Sequence, residues 1–209
     1  MSVPLSIAGV TKRYGSRTIL DGVTLSLAPG ETVVLRGPNG TGKSTLLGCV
    51  CGQVVPDAGT IAIAGFDLRS APLQARRHLR ALPQEVELPA GITGREWLEI
   101  HADVFGAPRP SDAEVDPQLR PLLDHLAATY SVGLRRRLAF AAIALGPAAL
   151  FVLDEPFAGV DTDGRARILE VLQARLGDGA AVLLAAHDHE LGEIERLSPR
   201  IVALAPAAA

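Results

Sequence analysis

Apolar and polar positions alternate in short blocks over the first third of the chain, and turn residues separate the blocks. "PLSIAGVTKRYGSRTILDGVTLSLAPGETVVLRG" predicts a strand near 4–10, a second near 17–27 and a third near 31–36. "KSTLLGCVCG" follows as a helix ended by Gly52. "GTIAIAG" reads as a strand, "PLQARRHL" as a short helix and "RALPQ" as the end of another strand. The middle of the chain is helical. Thr93 and Glu96 have capping-box spacing ahead of "WLEIHADVF", and Ser111 and Glu114 repeat that spacing. Pro108, Pro110, Pro117 and Pro121 break this part into short helices, and "SVGLRRRLAFAAIAL" is a longer one. From "ALFVLDEP" onward strand and helix alternate again: "RARILEVLQARL" helix, "AAVLLAAH" strand, "HELGEIERL" helix, "RIVALA" strand, then a tail "APAAA" expected to fray. No segment repeats. The alternation predicts an α/β domain whose core takes 1–84 and 146–209, with a helical insertion at about 85–145.

Composition adds three constraints. The 209 residues suffice for one domain with a real core, and at 48% hydrophobic but 4% aromatic its apolar mass is Ala, Leu and Val. The net charge is −3 and no basic stripe dominates, so nucleic acid is not an expected partner. Arg135, Arg136 and Arg137 form the one notable basic run; it reads as a solvated face that opposes the dipole at the start of a helix. Cys49 and Cys51 have no His or Cys cluster near them in sequence, so they read as small helix residues in a reducing compartment. The first fifteen residues lack an apolar run of signal-peptide type. Leu138 to Leu153 is apolar over 16 residues, short of the ~20 that a spanning helix needs. Gly146-Pro147 splits it into a buried helix and a buried strand.

Lysine is scarce. Of the 20 basic residues only Lys12 and Lys43 are not arginine, and Lys43 stands inside "GPNGTGKST". Gly37, Pro38, Asn39, Gly40, Thr41, Gly42, Lys43 and Ser44 fit G-x-x-x-x-G-K-[ST], between a predicted strand and a predicted helix. Glycines let backbone N–H groups, here up to Thr45, converge on phosphate oxygens, and the helix start adds partial positive charge. A compact ammonium on a thin stem enters such a loop more readily than the planar fork of arginine. Ser44 would place its hydroxyl on Mg²⁺. "ALFVLDEP" supports this reading, because a buried parallel strand is a continuous apolar run and its C-terminal end is where ligands bind. Asp154 suits Mg²⁺, and Glu155 beside it suits the orientation and deprotonation of an attacking water.

With those elements placed, the whole chain resembles the ATP-binding subunit of an ABC transporter, of exporter type. "KRYG" puts Tyr14 where that family stacks an aromatic on adenine. "ALPQEV" puts Gln84 at its Q-loop, which also reaches the metal. "YSVGLRRRLAF" resembles its signature segment, "LDEPFAGVD" its Walker B and D-loop ending at Asp161, and "LLAAHD" puts His187 at its switch histidine. The resemblance implies a P-loop NTPase with a RecA-like, mostly parallel sheet, an antiparallel N-terminal β part and an inserted helical subdomain. It implies ATP and Mg²⁺ as cofactors, and Lys43, Gln84, Glu155 and His187 as the catalytic set. It further implies that Ser131, Gly133 and Asp161 reach the nucleotide of a second copy, in a head-to-tail, two-fold dimer. A separate membrane permease would dock near Gln84 to Phe105, holding the subunit on the cytoplasmic face of the membrane. Trp97 in that stretch reads first as a core anchor. Tyr130, Val132 and Leu134 depart from the leucine, glycine and glutamine common in the signature. A β-branched Val132 is expected to crowd the close approach there. The competing readings are a degenerate cassette that binds ATP with little hydrolysis and an ABC ATPase without a transport role.

Overall fold

The computed structural model describes residues 2–204. The tail 205–209, expected to fray, lies outside the described residues. The chain opens with strands β1 (Leu5–Tyr14), β2 (Arg17–Leu27) and β3 (Thr32–Arg36), then helix α1 (Lys43–Val50). Strands β4 (Ala58–Ile63) and β5 (Phe66–Asp67), helix α2 (Pro72–Arg77) and strand β6 (Leu79–Leu82) follow. Helices α3 (Gly94–Phe105) and α4 (Val132–Ile143) come next, with 3-10 turns at Arg120–Leu122 and Ala127–Thr129 between them. Strand β7 (Leu150–Asp154), helix α5 (Thr162–Gly177), strand β8 (Ala181–Ala185), helix α6 (Leu191–Ile194) and strand β9 (Arg200–Ala203) complete it.

Two sheets result. β2-β1-β4-β5 is antiparallel. β6-β7-β8-β3-β9 is parallel throughout. β7 and β8 are buried along their whole length, which explains why both read as unbroken apolar runs. α1 lies between the sheets, where Leu46, Leu47 and Val50 pack with Ile7, Leu25, Leu35 and Val152. Each such side chain contributes about 1.5–3 kcal/mol by leaving water. α4 is apolar on two faces. Phe140 and Ile143 join a second cluster with Phe151, Phe157 and Leu169, while Leu138 and Ala142 join a third with Leu98, Leu123 and Tyr130. This helix therefore ties the residues between β6 and β7 to the parallel sheet.

Several expectations need correction. β1 continues to Tyr14, because irregularities between Ile7 and Arg13 bulge the strand instead of ending it. β5 pairs only Phe66 and Asp67 and is too short to leave a pattern. Thr93 and Glu96 form their capping box and a 12-residue helix follows. Ser111 and Glu114 make the equivalent contacts at 2.7–2.8 Å, yet no helix follows. Pro117 holds the preceding residue away from helical geometry, and Asp116 is drawn into an ion pair. The expected helix over 189–197 is a 3-10 turn, the four-residue α6 and a second 3-10 turn. Glu190 is drawn inward there to accept the His187 N–H at 2.7 Å. Trp97 is half-buried in the third cluster, as a core anchor would be. Burial pushes the Cys49 and Cys51 thiols up to about 11 and about 12, so neither is a ready nucleophile.

The arginine run is the largest departure. Arg136 and Arg137 are each only 5% exposed, not on a solvated face. Protein carboxylates and carbonyls, with the Gln118 amide oxygen, and not solvent, receive the Nη donors of Arg136 and the Nε and Nη donors of Arg137.

Candidate functional site

The glycine loop leaves the C-terminal end of β3 and enters α1 at Gly42. There φ is +96°, and a Cβ would meet Leu20 and Ile19 at 2.8–3.0 Å. No side chain caps α1 and its first turn carries no acid, so its leading N–H groups are free for an anion. Lys43 Nζ donates to the carbonyls of Gly37 at 2.6 Å and Pro38 at 3.1 Å, which arches the loop over the ammonium. The buried Thr41 closes the arch from behind through its hydroxyl bond to Pro38 O at 2.9 Å.

Asp154 ends β7 and Glu155 follows it. Burial pushes the Asp154 carboxyl up, the Ser44 hydroxyl bonded to it pulls it down, and Glu155 opposes its ionisation again. Glu155 adopts φ +50°, a left-handed conformation that a residue with a Cβ takes at a cost of about 1–2 kcal/mol. The turn aims its carboxylate at two groups. Gln84 Nε2 donates to Oε2 at 3.3 Å, and His187 Nε2 lies 3.1 Å from Oε1.

One cavity of about 500 Å³ gathers these parts. Tyr14, Asn39, Gly40, Gly42, Lys43, Ser44, Thr45, Gln84, Glu155 and His187 all line it. Tyr14 is 53% exposed at its rim, with the Lys12 ammonium 5.4 Å from its ring centroid. Asp154 lines a smaller cavity of about 190 Å³ with Ser44 and Gln84. A hydroxyl, a carboxylate and an amide form a hard-oxygen donor set of the kind that fits Mg²⁺ with phosphate and water completing the shell. Among the described residues no three His, Cys, Asp or Glu converge as a metal cage. Asp188 is instead paired with Arg36 at 2.8 Å.

Ser131, Gly133 and Asp161 do not line either cavity. Ser131 caps α4, its Oγ accepting from Leu134 N at 3.3 Å, which leaves the hydroxyl proton free to donate outward. A Cβ on Gly133 would sit 2.2 Å from Gly159 O, so this glycine is required by contact within the chain. Val132 is 59% exposed, with its side chain beside Gly159. Tyr130 is buried and its hydroxyl donates to Leu122 O. Asp161 caps α5 through Gly164 N at 2.9 Å and accepts from Arg137 at 2.9 Å.

Sequence reasoning missed three residues near the site. Arg17 and Ile19 line the large cavity, and both stand within five residues of Tyr14 on the same hairpin. Arg136 reaches the main chain of Gln84, Asp154 and Glu155. Its position inside a basic run hid it, because the run itself reads as a solvated face.

A family profile described as "ABC transporter" matches residues 20–158, two thirds of the chain. The chain belongs to the ABC transporter family. Among its relatives is the Nod factor export ATP-binding protein I of Mesorhizobium japonicum, 36% identical across 97% of this chain and 61% of that protein. The protein of the same name from Ralstonia nicotianae is 35% identical across 92% of this chain and 61% of its own length. The chain thus spans about three fifths of these relatives. A solved structure described as an ATP-binding subunit of an ABC transporter superimposes with a TM-score of 0.85, at 28% identity, over 96% of this chain and 85% of that one. The fold is accordingly that of the ABC ATPase domain, a P-loop NTPase, as the resemblance implied. Among the described residues no helix is long and apolar enough to cross a membrane.

Proposed function

We propose that this ABC family member binds and hydrolyses ATP to power a transporter, working as a head-to-tail dimer on a separate membrane subunit. The observation that carries the reading is the placement of Glu155. It faces the Lys43 cavity, held between Gln84 and His187. In this reading the ammonium of Lys43 and the N–H groups of the glycine loop take the β- and γ-phosphates. Tyr14 takes the adenine. Ser44, Asp154 and Gln84 hold Mg²⁺, which supplies neutralisation of charge on the phosphate oxygens when bound. Glu155 orients a water and accepts its proton, and His187 fixes the rotamer of that carboxylate. Retention of Glu155 and His187 in this arrangement argues against a degenerate cassette.

The outward-facing start of α4 supports a shared site. Ser131 and the leading N–H groups of α4 address the nucleotide of a second copy, and Asp161 borders the same interface. The core of 1–84 and 146–209 then carries one nucleotide, and the helical part 85–145 presents the signature to the other and receives the membrane subunit around Gln84 to Phe105. The export named in the relatives supports an outward direction and a place on the cytoplasmic face of the membrane. The test is Glu155→Gln. Hydrolysis should fall by about 10²–10⁴-fold while ATP binding persists, and the protein should elute as a dimer in ATP. A variant that stays monomeric at saturating ATP sinks the shared-site reading.

A further inference from the structure

Arg136 is a buried cation with an unusual set of partners. Its Nη1 donates to Glu155 O at 2.6 Å and Asp154 O at 3.3 Å, and its Nη2 donates to Gln84 O. Its Nε is buried with no partner. Its neighbour Arg137 pairs with Asp116 and Asp161, but Arg136 makes no ion pair among the described residues. Burial pushes its guanidinium down, and the charges of Glu155 and Asp154 only oppose that. An arrangement that desolvates a charge against carbonyls is a poor way to stabilise a fold. It suits a different task. Gln84 and Glu155 follow the C-terminal ends of the neighbouring parallel strands β6 and β7. A planar fork is the side chain that can hold two such main-chain oxygens in fixed relation.

A second observation points the same way. Glu155 is in a left-handed conformation, which persists only where its surroundings over-determine it. Its N–H donates to Ala185 O at 3.0 Å, and its carbonyl is held by Arg136. Arg136 lies little more than one turn inside α4 from Ser131. We propose that Arg136 is a positioning residue: it locks the backbones of Gln84 and Glu155 to α4, so that seating α4 against one nucleotide sets the carboxylate that hydrolyses the other. This inference rests on the shared-site reading above and adds the physical link between its two halves.

The test compares the wild type with Arg136→Lys and Arg136→Met. Lysine keeps charge and stem but cannot hold both oxygens in one plane. With ATP and Mg²⁺, Arg136→Lys should lower kcat by about 10–100-fold, the loss expected of a carboxylate displaced by about 1 Å. The Kd for ATP, measured by equilibrium binding, should stay within about 2-fold of wild type, since Arg136 does not touch the cavity. In a Glu155→Gln background, Arg136→Lys should still form the ATP-dependent dimer, which a merely misfolded α4 would not. Arg136→Met should show the same kcat loss or a larger one; if it fails to fold, the lysine variant decides alone. Unchanged kcat in Arg136→Lys, or a matched loss of ATP affinity and dimer, overturns the proposal. If the wild type dimerises and turns over normally in that case, the shared-site reading survives it. A wild type with no ATP-dependent turnover overturns both.

Discussion

At the glycine loop the candidate groups line a cavity; at the start of α4 they line neither cavity and are tied to their own chain. Lys43, Glu155 and His187 share one cavity. Ser131, Gly133 and Asp161 are occupied with a helix cap, a backbone contact and an ion pair. The first region needs only a ligand. The second is built as a rigid face whose shape is fixed before anything meets it. Rigidity there is economical, because a face that must order itself on contact loses affinity to conformational entropy.

Three changes test that contrast, beginning with the largest effect. Arg137 holds the rigid face together, bidentate on the buried Asp116 and bonded to Asp161 and Gln118. Arg137→Met strands the Asp116 carboxylate in the interior and should cost about 3–5 kcal/mol in denaturant unfolding, with ATP affinity of the folded fraction preserved. A loss below 1 kcal/mol would mean that the face is not held by this pair. Lys43→Ala should do the reverse: stability near wild type, ATP affinity down by about 10–100-fold, as for the loss of a charge-assisted contact. Equal binding by both proteins would remove the loop from the nucleotide site.

The smallest effect concerns Asp154, whose carboxyl is raised chiefly by burial. Its folded-state value lies above the unfolded one, so the protonated form favours the fold. That contribution is complete below the ordinary aspartate range and is lost as pH rises through the raised value. At neutral pH without Mg²⁺, Asp154→Asn should therefore melt slightly higher than wild type, and the gap should close below a pH of about 4. With Mg²⁺ and ATP the order should invert, because only the carboxylate repays its burial on the ion. A variant that melts lower under both conditions would show that the carboxylate is structural.

The legible parts of the chain are those where meaning is local. A strand, a glycine loop and a helix occur within 20 residues, so β3, the loop and α1 were readable together, as were β7 with Asp154 and Glu155. The Thr93–Glu96 box was readable because both partners sit in one turn. What failed depended on distance. Ser111 and Glu114 make the same local contacts, but Asp116 answers to Arg137, 21 residues away. Arg136 shows only its charge in sequence, and its partners at Gln84 and Glu155 lie 52 and 19 positions off. Arg17 and Ile19 reach the cavity by hairpin register, which their own side chains do not announce.

Gly133 and Val132 also differ in how freely a lineage can alter them. Position 132 opens to the outside, so a substitution there is judged first by whatever approaches it, although the Val132 side chain also lies beside Gly159. Position 133 is walled by a carbonyl of Gly159, and main chain cannot be trimmed to make room. The two positions therefore differ in constraint: the first has room for other side chains, while the second can change only if a separate stretch of backbone moves with it.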